Sequence, residues 1–479
     1  MNDTNGSARD EQETPVVPGH RRLWLLLGGS VLIAFLILGF YGGEVYRQAP
    51  PIPERVLTED GRTLFTGETI LDGQEVWQSI GGQQVGSIWG HGAYLGPDWS
   101  ADQLHREALT LRAIWAQREH GRPYTELPLE TRAGLDARLR AAFRTNTWDA
   151  ASDSITVSSD RAAAMVQVAA HYDGLFADAA EQRQLREDYA LHRNAVAEPE
   201  RRADLAAFFW WTAWACATER PGSTVTYTNN WPHEPLVGNV PTTANMLWTI
   251  LSVVLLLAGI GALVYWRAFR ERHEDPPAPP ERDPLDRARI TPSMKAAGWY
   301  ALVATGLFVL QVVLGAVTAH YTVEGQSFFG FPLADWLPYA VTRTWHVQLG
   351  IFWIATAFLA FGLFLAPAVG GREPRFQRLG VHVLLGALFL VVIGSLVGEW
   401  MAIKRHLPGA MSFWFGHQGY EYVDLGRAWQ IALFGGILLW LVLMLRGLMP
   451  ALRRREDSRA IVGLFTASAV AIGLFYGAG

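Results

Sequence analysis

Two residues in one apolar segment have the types and spacing of a cofactor site. His346 follows Arg343 by three residues in "VTRTWHVQLGIFWIATAFLAFGLFLAP", so a helix places both side chains on nearly the same face. Ionisable residues at membrane depth are costly and usually functional. A histidine within a span, with an arginine nearer its polar edge, suits axial ligation of haem iron with a propionate held by the guanidinium. The alternative explanation of the pattern is an interfacial histidine bonded to a neighbouring helix.

A second cluster lies at the end of the preceding apolar segment, in "GAVTAHYTVEGQSFFGF". His320, Glu324 and Phe328 are spaced by four residues, so they share one face if the helix continues. A histidine–carboxylate pair provides proton acceptors, and an aromatic ring provides a stacking surface, as oxidation of a quinol requires. The alternative is a helix-terminal pair beside ordinary interfacial aromatic residues.

A third cluster is "FWFGHQGYEYVDLGRAWQ", which precedes a later apolar segment. Its two carboxylates, Glu421 and Asp424, could bind a hard cation such as calcium through oxygen. Capping of the following helix, for which Asp424 is well placed, explains the carboxylates without a metal.

The elements that must position these residues follow from composition. The 479 residues include 50% hydrophobic residues and 20 tryptophans, and the formal net charge of −5 gives no sign of a nucleic-acid partner. The single cysteine, Cys216, excludes an internal disulfide and any CxxCH haem-attachment motif. Strongly apolar segments combined with one polar block explain the slightly positive mean hydropathy of +0.11.

Seven apolar segments are long enough to cross a bilayer. They are residues 23–43, 244–266, 297–319, 342–366, 379–400, 427–445 and 460–477. Arginine-rich connections alternate with aromatic ones, so the positive-inside rule places residues 1–22 in the cytoplasm and the polar block outside. His382 begins its segment at the cytoplasmic leaflet, which excludes it as the partner ligand of His346.

The predicted fold is a polytopic α-helical membrane protein with about seven spans. Residues 1–22 are a cytoplasmic N-terminus, 23–43 an uncleaved transmembrane anchor, 44–242 an extracytoplasmic polar domain, and 243–479 the first six spans of a membrane domain. Because "AIGLFYGAG" stops at the end of a span, we expect the chain to be the N-terminal part of a longer protein.

These motifs, in this order, resemble the quinol-dependent nitric oxide reductases of the haem–copper oxidase superfamily. The matching features are the anchor, the stretch "GGQQVGSIWGHGAY", the span ending "HYTVEG", the span "TRTWHVQLGIFW" and the loop "GHQGYEYVDLGRAWQ". The resemblance implies an oxidoreductase of the bacterial cytoplasmic membrane that serves denitrification. Such an enzyme reduces two molecules of NO to N2O and water with electrons from membrane quinol.

The resemblance also identifies the polar domain as cytochrome-c-like but lacking haem. In related enzymes that use cytochrome c, a separate subunit carries a CxxCH motif followed by a segment similar to "GHGAYLGPD". Here Gly82, Val85 and Gly86 stand where the two cysteines and the histidine would be. The resemblance therefore implies that electrons arrive directly from quinol.

The resemblance assigns a role to each candidate residue. His346 is implied as an axial ligand of a low-spin haem b and Arg343 as a partner of its propionates. The implied quinol-binding residues are His320, Glu324 and Phe328, and the implied calcium ligands are Glu421, Tyr94 and the Gly92 carbonyl. We expect no catalytic residue in this chain.

The family's remaining groups are expected beyond residue 479, namely the second haem b ligand, the high-spin haem b and the non-haem iron. Two alternatives stay open. One is a truncated, non-catalytic relative that pairs with another chain, and the other is a membrane sensor whose polar domain binds a ligand. A homodimer is also left open.

Overall fold

The computed structural model describes residues 21–93, 95–271, 281, 289–417, 425–453 and 459–478. The chain divides into two compact units, Met1–Pro51 and Ile52–Gly479. In the described part of the first unit, residues 21–51, the helix is α1 (Arg21–Arg47). Its stretch Leu25–Arg47 is apolar and long enough to cross a membrane, as predicted for the anchor.

The second unit begins with the polar domain, residues 52–242. Its strands are β1 (Arg55–Thr58), β2 (Thr63–Thr66), β3 (Ser87–Ile88), β4 (His91–Gly92), β5 (Trp148–Asp149) and β6 (Ser154–Val157). Its helices are α2 (Gly67–Ser79), α3 (Trp99–His120), α4 (Leu129–Arg144), α5 (Ser159–Phe176), α6 (Arg183–Asp188) and α7 (Pro199–Ala217). Side-chain caps fix several helix starts, because Thr66, Asp98 and Ser158 accept backbone N–H groups of α2, α3 and α5.

Four strands form one small sheet in the order β2-β1-β6-β5. β1 runs antiparallel to β2 and parallel to β6, with Val56 opposite Ile155. The sheet borders an aromatic core in which Trp99 stacks on Phe209, with ring centroids 5.1 Å apart and planes 3° from parallel. Large rings therefore fill the interior of the polar domain.

The membrane domain consists of long apolar helices. They are α8 (Thr243–Glu271), α9 (Pro292–Val323), α11 (Tyr339–Gly370), α12 (Gln377–Ile403), α14 (Arg427–Arg453) and α15 (Arg459–Ala478), with short helices α10 (Leu333–Trp336) and α13 (Gly409–Phe415) between them. Within the described residues, α1 and five of these helices are long and apolar enough to cross a membrane. The seventh predicted span lies in α15, whose described apolar part is Val462–Tyr476. The polytopic helical fold is therefore confirmed.

The polar domain is seated on the ends of α9, α11 and α12. A Cβ atom at Gly81, in the turn after α2, would lie 2.7 Å from the Cβ of Ala340 in α11. Arg405, after α12, forms a 2.5 Å ion pair with Glu198. The start of α11 therefore lies beside the polar domain, as does the end of α9, where Tyr321 shares a buried cluster with Ala190. The candidate sites around His320 and His346 lie near these helix ends.

Candidate functional site

The first candidate site lies at the polar-domain end of α9. His320 Nδ1 and Glu324 Oε2 are 3.1 Å apart. The imidazole of His320 is stacked on the Phe328 ring, with centroids 4.0 Å apart and planes 7° from parallel. The side chains of His320 and Glu324 are 38% and 43% exposed, respectively, on the protein surface. The three residues therefore form one cluster that is partly open at the protein surface.

The helix does not continue to Phe328, so the expectation that all three residues share one helix face was wrong. α9 ends at Val323, and Glu324 is its C-cap rather than part of a continuing helix. The chain then turns at Gly325, whose φ of +93° favours glycine. The Phe328 N–H donates to the Gly325 carbonyl, 3.2 Å away. Phe328 reaches His320 through this turn, not through helical spacing.

The second candidate, His346, is held by α9. Its Nδ1 lies 2.8 Å from the Gln311 carbonyl oxygen. Because a carbonyl can only accept, Nδ1 carries the hydrogen and Nε2 keeps its lone pair. The Gln311 side chain is itself fixed by the Trp353 indole, whose Nε1 donates to Oε1 at 2.7 Å. Metal-ligating histidines are oriented in this way, through a hydrogen bond from the other ring nitrogen.

Gly315 makes the room for this imidazole. A Cβ atom at Gly315 would lie 2.7 Å from His346 Cε1 and 2.8 Å from Nδ1. Any side chain larger than hydrogen would therefore displace the ring. Together with the Gln311 carbonyl, this notch fits a histidine that presents Nε2 to haem iron.

Arg343 contacts the polar domain. Its guanidinium donates to the side-chain oxygen of Gln84. Gln84 is buried in the turn Gly82–Val85, the segment that the resemblance places where a haem-attachment motif would be. The turn Gly82–Val85 therefore holds the arginine that we expect to bind the haem propionates.

The polar domain leaves no space for a side chain at Gly86, which the resemblance places where an axial histidine would be. A Cβ atom at Gly86 would lie 2.4 Å from Trp99 Nε1, and the φ of Gly86 is +119°. Trp99 Nε1 donates to the Val85 carbonyl at 2.8 Å. Asp98 accepts from the Ser87 hydroxyl at 2.8 Å and the Gly90 N–H at 2.7 Å, and burial raises the pKa of its carboxyl. The loop that contains Gly86 therefore packs tightly against the indole of Trp99.

Of the three predicted calcium ligands, the structure describes Gly92. Gly92 is buried in β4, paired with Ser87 of β3. Tyr94, Glu421 and also Asp424 lie outside the described residues. Among the residues that the structure describes, no group of three or more His, Cys, Asp or Glu side chains is arranged to hold a metal ion.

His382 lies beside the start of α9, and His346 lies beside its second half. His382 borders a cavity with Pro292 and Lys295, at the start of α9. His346 contacts Gln311 and Gly315, at least 12 residues beyond Trp299, the last α9 residue that lines this cavity, or about 18 Å at the α-helical rise. The two histidines cannot ligate one iron.

Sequence reasoning missed three residues that position the predicted ones: Gln84, Gln311 and Gly315. Gln311 had a usable signal, because it is a lone amide inside an otherwise apolar segment. Gly315 and Gln84 had none, since their roles depend on which helix lies opposite.

Two family models match the chain. The model of the cytochrome c-like domain of the nitric oxide reductase protein NorB matches residues 53–233, which is nearly the whole polar domain. "Cytochrome C and Quinol oxidase polypeptide I" matches residues 295–479, from α9 onward. No curated protein matches the chain as a relative. The two matches identify an oxidoreductase type that uses haem cofactors. The chain therefore belongs to the NorB-type family of haem–copper oxidases.

Proposed function

We propose that this chain carries the electron-entry part of a quinol-dependent nitric oxide reductase. In the complete reaction one quinol and two molecules of NO give one quinone, one N2O and one water. The two electrons and two protons that leave the quinol balance the reduction. The observation that carries the proposal is the cluster of His320, Glu324 and Phe328 at the exposed end of a membrane helix.

His320 and Glu324 are suited to take the protons of the quinol. When Nδ1–H of His320 donates to Glu324, the Nε2 lone pair is free to accept a proton from a quinol hydroxyl. The carboxylate then neutralises the imidazolium charge. Phe328 packs against the imidazole and fixes its plane. The partial exposure of the pair leaves a route by which protons reach water.

The residues around His346 fit a haem b. His346 would be an axial ligand through Nε2, and Arg343 would pair with a propionate. The haem, when bound, supplies an acceptor for electrons from the quinol. His346 packs against Gly315, which precedes His320 by five residues, or about 8 Å along the helix. α9 therefore holds the proton acceptors and the haem-ligand notch close together.

The polar domain supports quinol as the donor. Residues 82, 85 and 86 have no thiol or imidazole to attach or ligate a haem, and Trp99 occupies the adjoining space. We place this domain on the periplasmic side of the bacterial cytoplasmic membrane. The reason is that the arginine-rich connections lie at the other ends of the spans and are expected in the cytoplasm. Calcium bound by the Gly92 carbonyl, Tyr94 and Glu421 belongs to the same proposal.

The test is quinol-dependent NO consumption by the protein purified from its own membranes. Wild type should consume two NO for each quinol oxidised, and E324Q should lose most of this activity. E130Q changes an exposed glutamate of α4 and is the matched control. Wild-type protein that contains haem b but oxidises no quinol would contradict the proposal.

A further inference from the structure

A turn of the polar domain grips the loop that follows α9. Glu187 Oε2 accepts the backbone N–H of Gln326, at 3.2 Å. Gln326 Nε2 donates to the Leu191 carbonyl at 3.1 Å. Both bonds join residues more than 130 positions apart in the sequence. They attach the loop at a point two residues before Phe328.

The gripping turn is itself held firmly. Glu187 is in α6, and its carbonyl accepts the N–H of Ala190 at 3.0 Å. The Leu191 N–H donates to the Arg186 carbonyl at 2.9 Å. The Arg186 side chain is 4% exposed and is paired with Asp178 at 3.0 Å. Glu187 and the Leu191 carbonyl are therefore presented from a fixed backbone.

An apolar contact accompanies the two hydrogen bonds. Ala190, 2% exposed, belongs to one buried cluster with Tyr321 of α9, Ala334 of α10 and Tyr339 of α11. Phe329 packs against this cluster. The loop between α9 and α11 is therefore packed against the polar domain and is not free in solvent.

The loop needs such support. Gly325, which follows the C-cap residue Glu324, has a positive φ, and glycine gives the chain wide freedom at that point. Without a second attachment, the position of Phe328 relative to His320 is not determined by α9. Gln326, the next residue, supplies this attachment through its two hydrogen bonds to the polar domain.

We propose that Glu187 is a positioning residue of the quinol site, which gives the haem-free polar domain a function in substrate binding. Glu187 fixes Gln326, and the fixed loop lays Phe328 on the imidazole of His320. The inference rests on the proposed function, because it names a determinant of quinol affinity at that same site.

A different role for Glu187 has its own prediction. Glu187 and Glu324 border one cavity of about 680 Å³. If Glu187 accepted protons from Glu324, its charge would matter. If it positions the loop, only its hydrogen-bond acceptor matters, and a glutamine supplies that acceptor. E187A and E187Q therefore separate the two roles.

The experiment uses the protein purified from its own membranes and a short-chain quinol. E187A should raise the KM for quinol several-fold, no more than loss of the Phe328 ring itself, with a smaller change in kcat, because alignment is lost and the chemical groups remain. E187Q should retain the wild-type KM. E181A, which changes an exposed glutamate of the same region, is the matched control. Unchanged KM in E187A, or equal impairment of E187Q, would overturn the positioning role.

Hydrogen exchange provides a readout that does not depend on quinol oxidation. Amides of the segment 324–331 should exchange faster in E187A than in wild type, E187Q or E181A. Unchanged exchange in E187A would overturn the inference even if the quinol assay succeeds. If exchange is faster in E187A but the wild-type protein oxidises no quinol, the proposed function is contradicted, whereas the attachment of the loop by Glu187 is supported.

Discussion

The imidazole of His320 and the ring of Phe328 lie parallel, with centroids 4.0 Å apart. The stack holds one face of the imidazole and leaves its edge to exchange protons. We expect F328A to raise the KM for quinol several-fold, because an aromatic pair contributes about 1 kcal/mol beyond its burial. F328Y should stay close to wild type. Steady-state quinol oxidation measures both variants.

The control for this change is F331A, since Phe331 is exposed and three residues further along the same loop. An F331A defect equal to that of F328A would show that the loop, not the stack, determines quinol affinity.

The notch at Gly315 predicts a spectroscopic effect. G315A places a methyl group 2.7 Å from the His346 ring, so the ring must move and axial ligation should weaken. We expect a lower haem b content, or a shift of its reduced spectrum away from low spin. G306A is the control, because a Cβ atom there meets no atom within 4 Å. Identical haem spectra in G315A and wild type would contradict the assignment of His346.

The closed loop around Trp99 predicts that a haem-attachment motif cannot simply be restored. The triple variant Gly82→Cys, Val85→Cys, Gly86→His should bind no covalent haem. Any side chain at position 86 would collide with Trp99, and the backbone there has a positive φ that side chains other than glycine rarely adopt. A pyridine haemochrome spectrum measures covalent haem. G86A alone should lower the thermal unfolding midpoint more than G121A, whose glycine has a φ of +62° but open space around it.

Buried His417 predicts a pH dependence of stability. Burial lowers its pKa from 6.5 to about 4, against a smaller opposing effect of the Ser79 backbone. The unfolded chain binds this proton near the ordinary pKa and the folded chain only near the lowered one. The stabilisation is therefore full above the ordinary pKa and is lost as pH falls from 6.5 toward about 4, by up to about 3 kcal/mol.

H417Q removes this titration. The drop in thermal unfolding midpoint between about pH 7.5 and about pH 5 should be smaller in H417Q than in wild type, whereas H120Q, at an exposed histidine, should match wild type. A drop of equal size in all three proteins would show that other groups determine the acid sensitivity.

Apolar length and helical spacing in the sequence predicted most of the helices, but they did not predict the contacts between residues far apart in the chain. Apolar length located the six described helices that are long enough to cross a membrane, and a spacing of four correctly joined His320 to Glu324, because both are fixed by one helix and its C-cap. The same rule gave Phe328 for the wrong reason, since the helix ends before it. The Arg343–Gln84 contact spans 259 positions and the Gln326–Glu187 contact 139. Such pairs depend on how the polar domain is seated on the membrane helices, and no periodicity in the sequence records that.

The most direct test of quinol oxidation at His320 and Glu324 is an anaerobic optical titration of the purified protein. Adding quinol without NO should reduce haem b in wild type, and E324Q should remain oxidised until dithionite is added. That result would place the entry of electrons at this pair. A wild-type haem b that dithionite reduces and quinol does not, or an E324Q protein that quinol reduces as fast as wild type, would contradict the account.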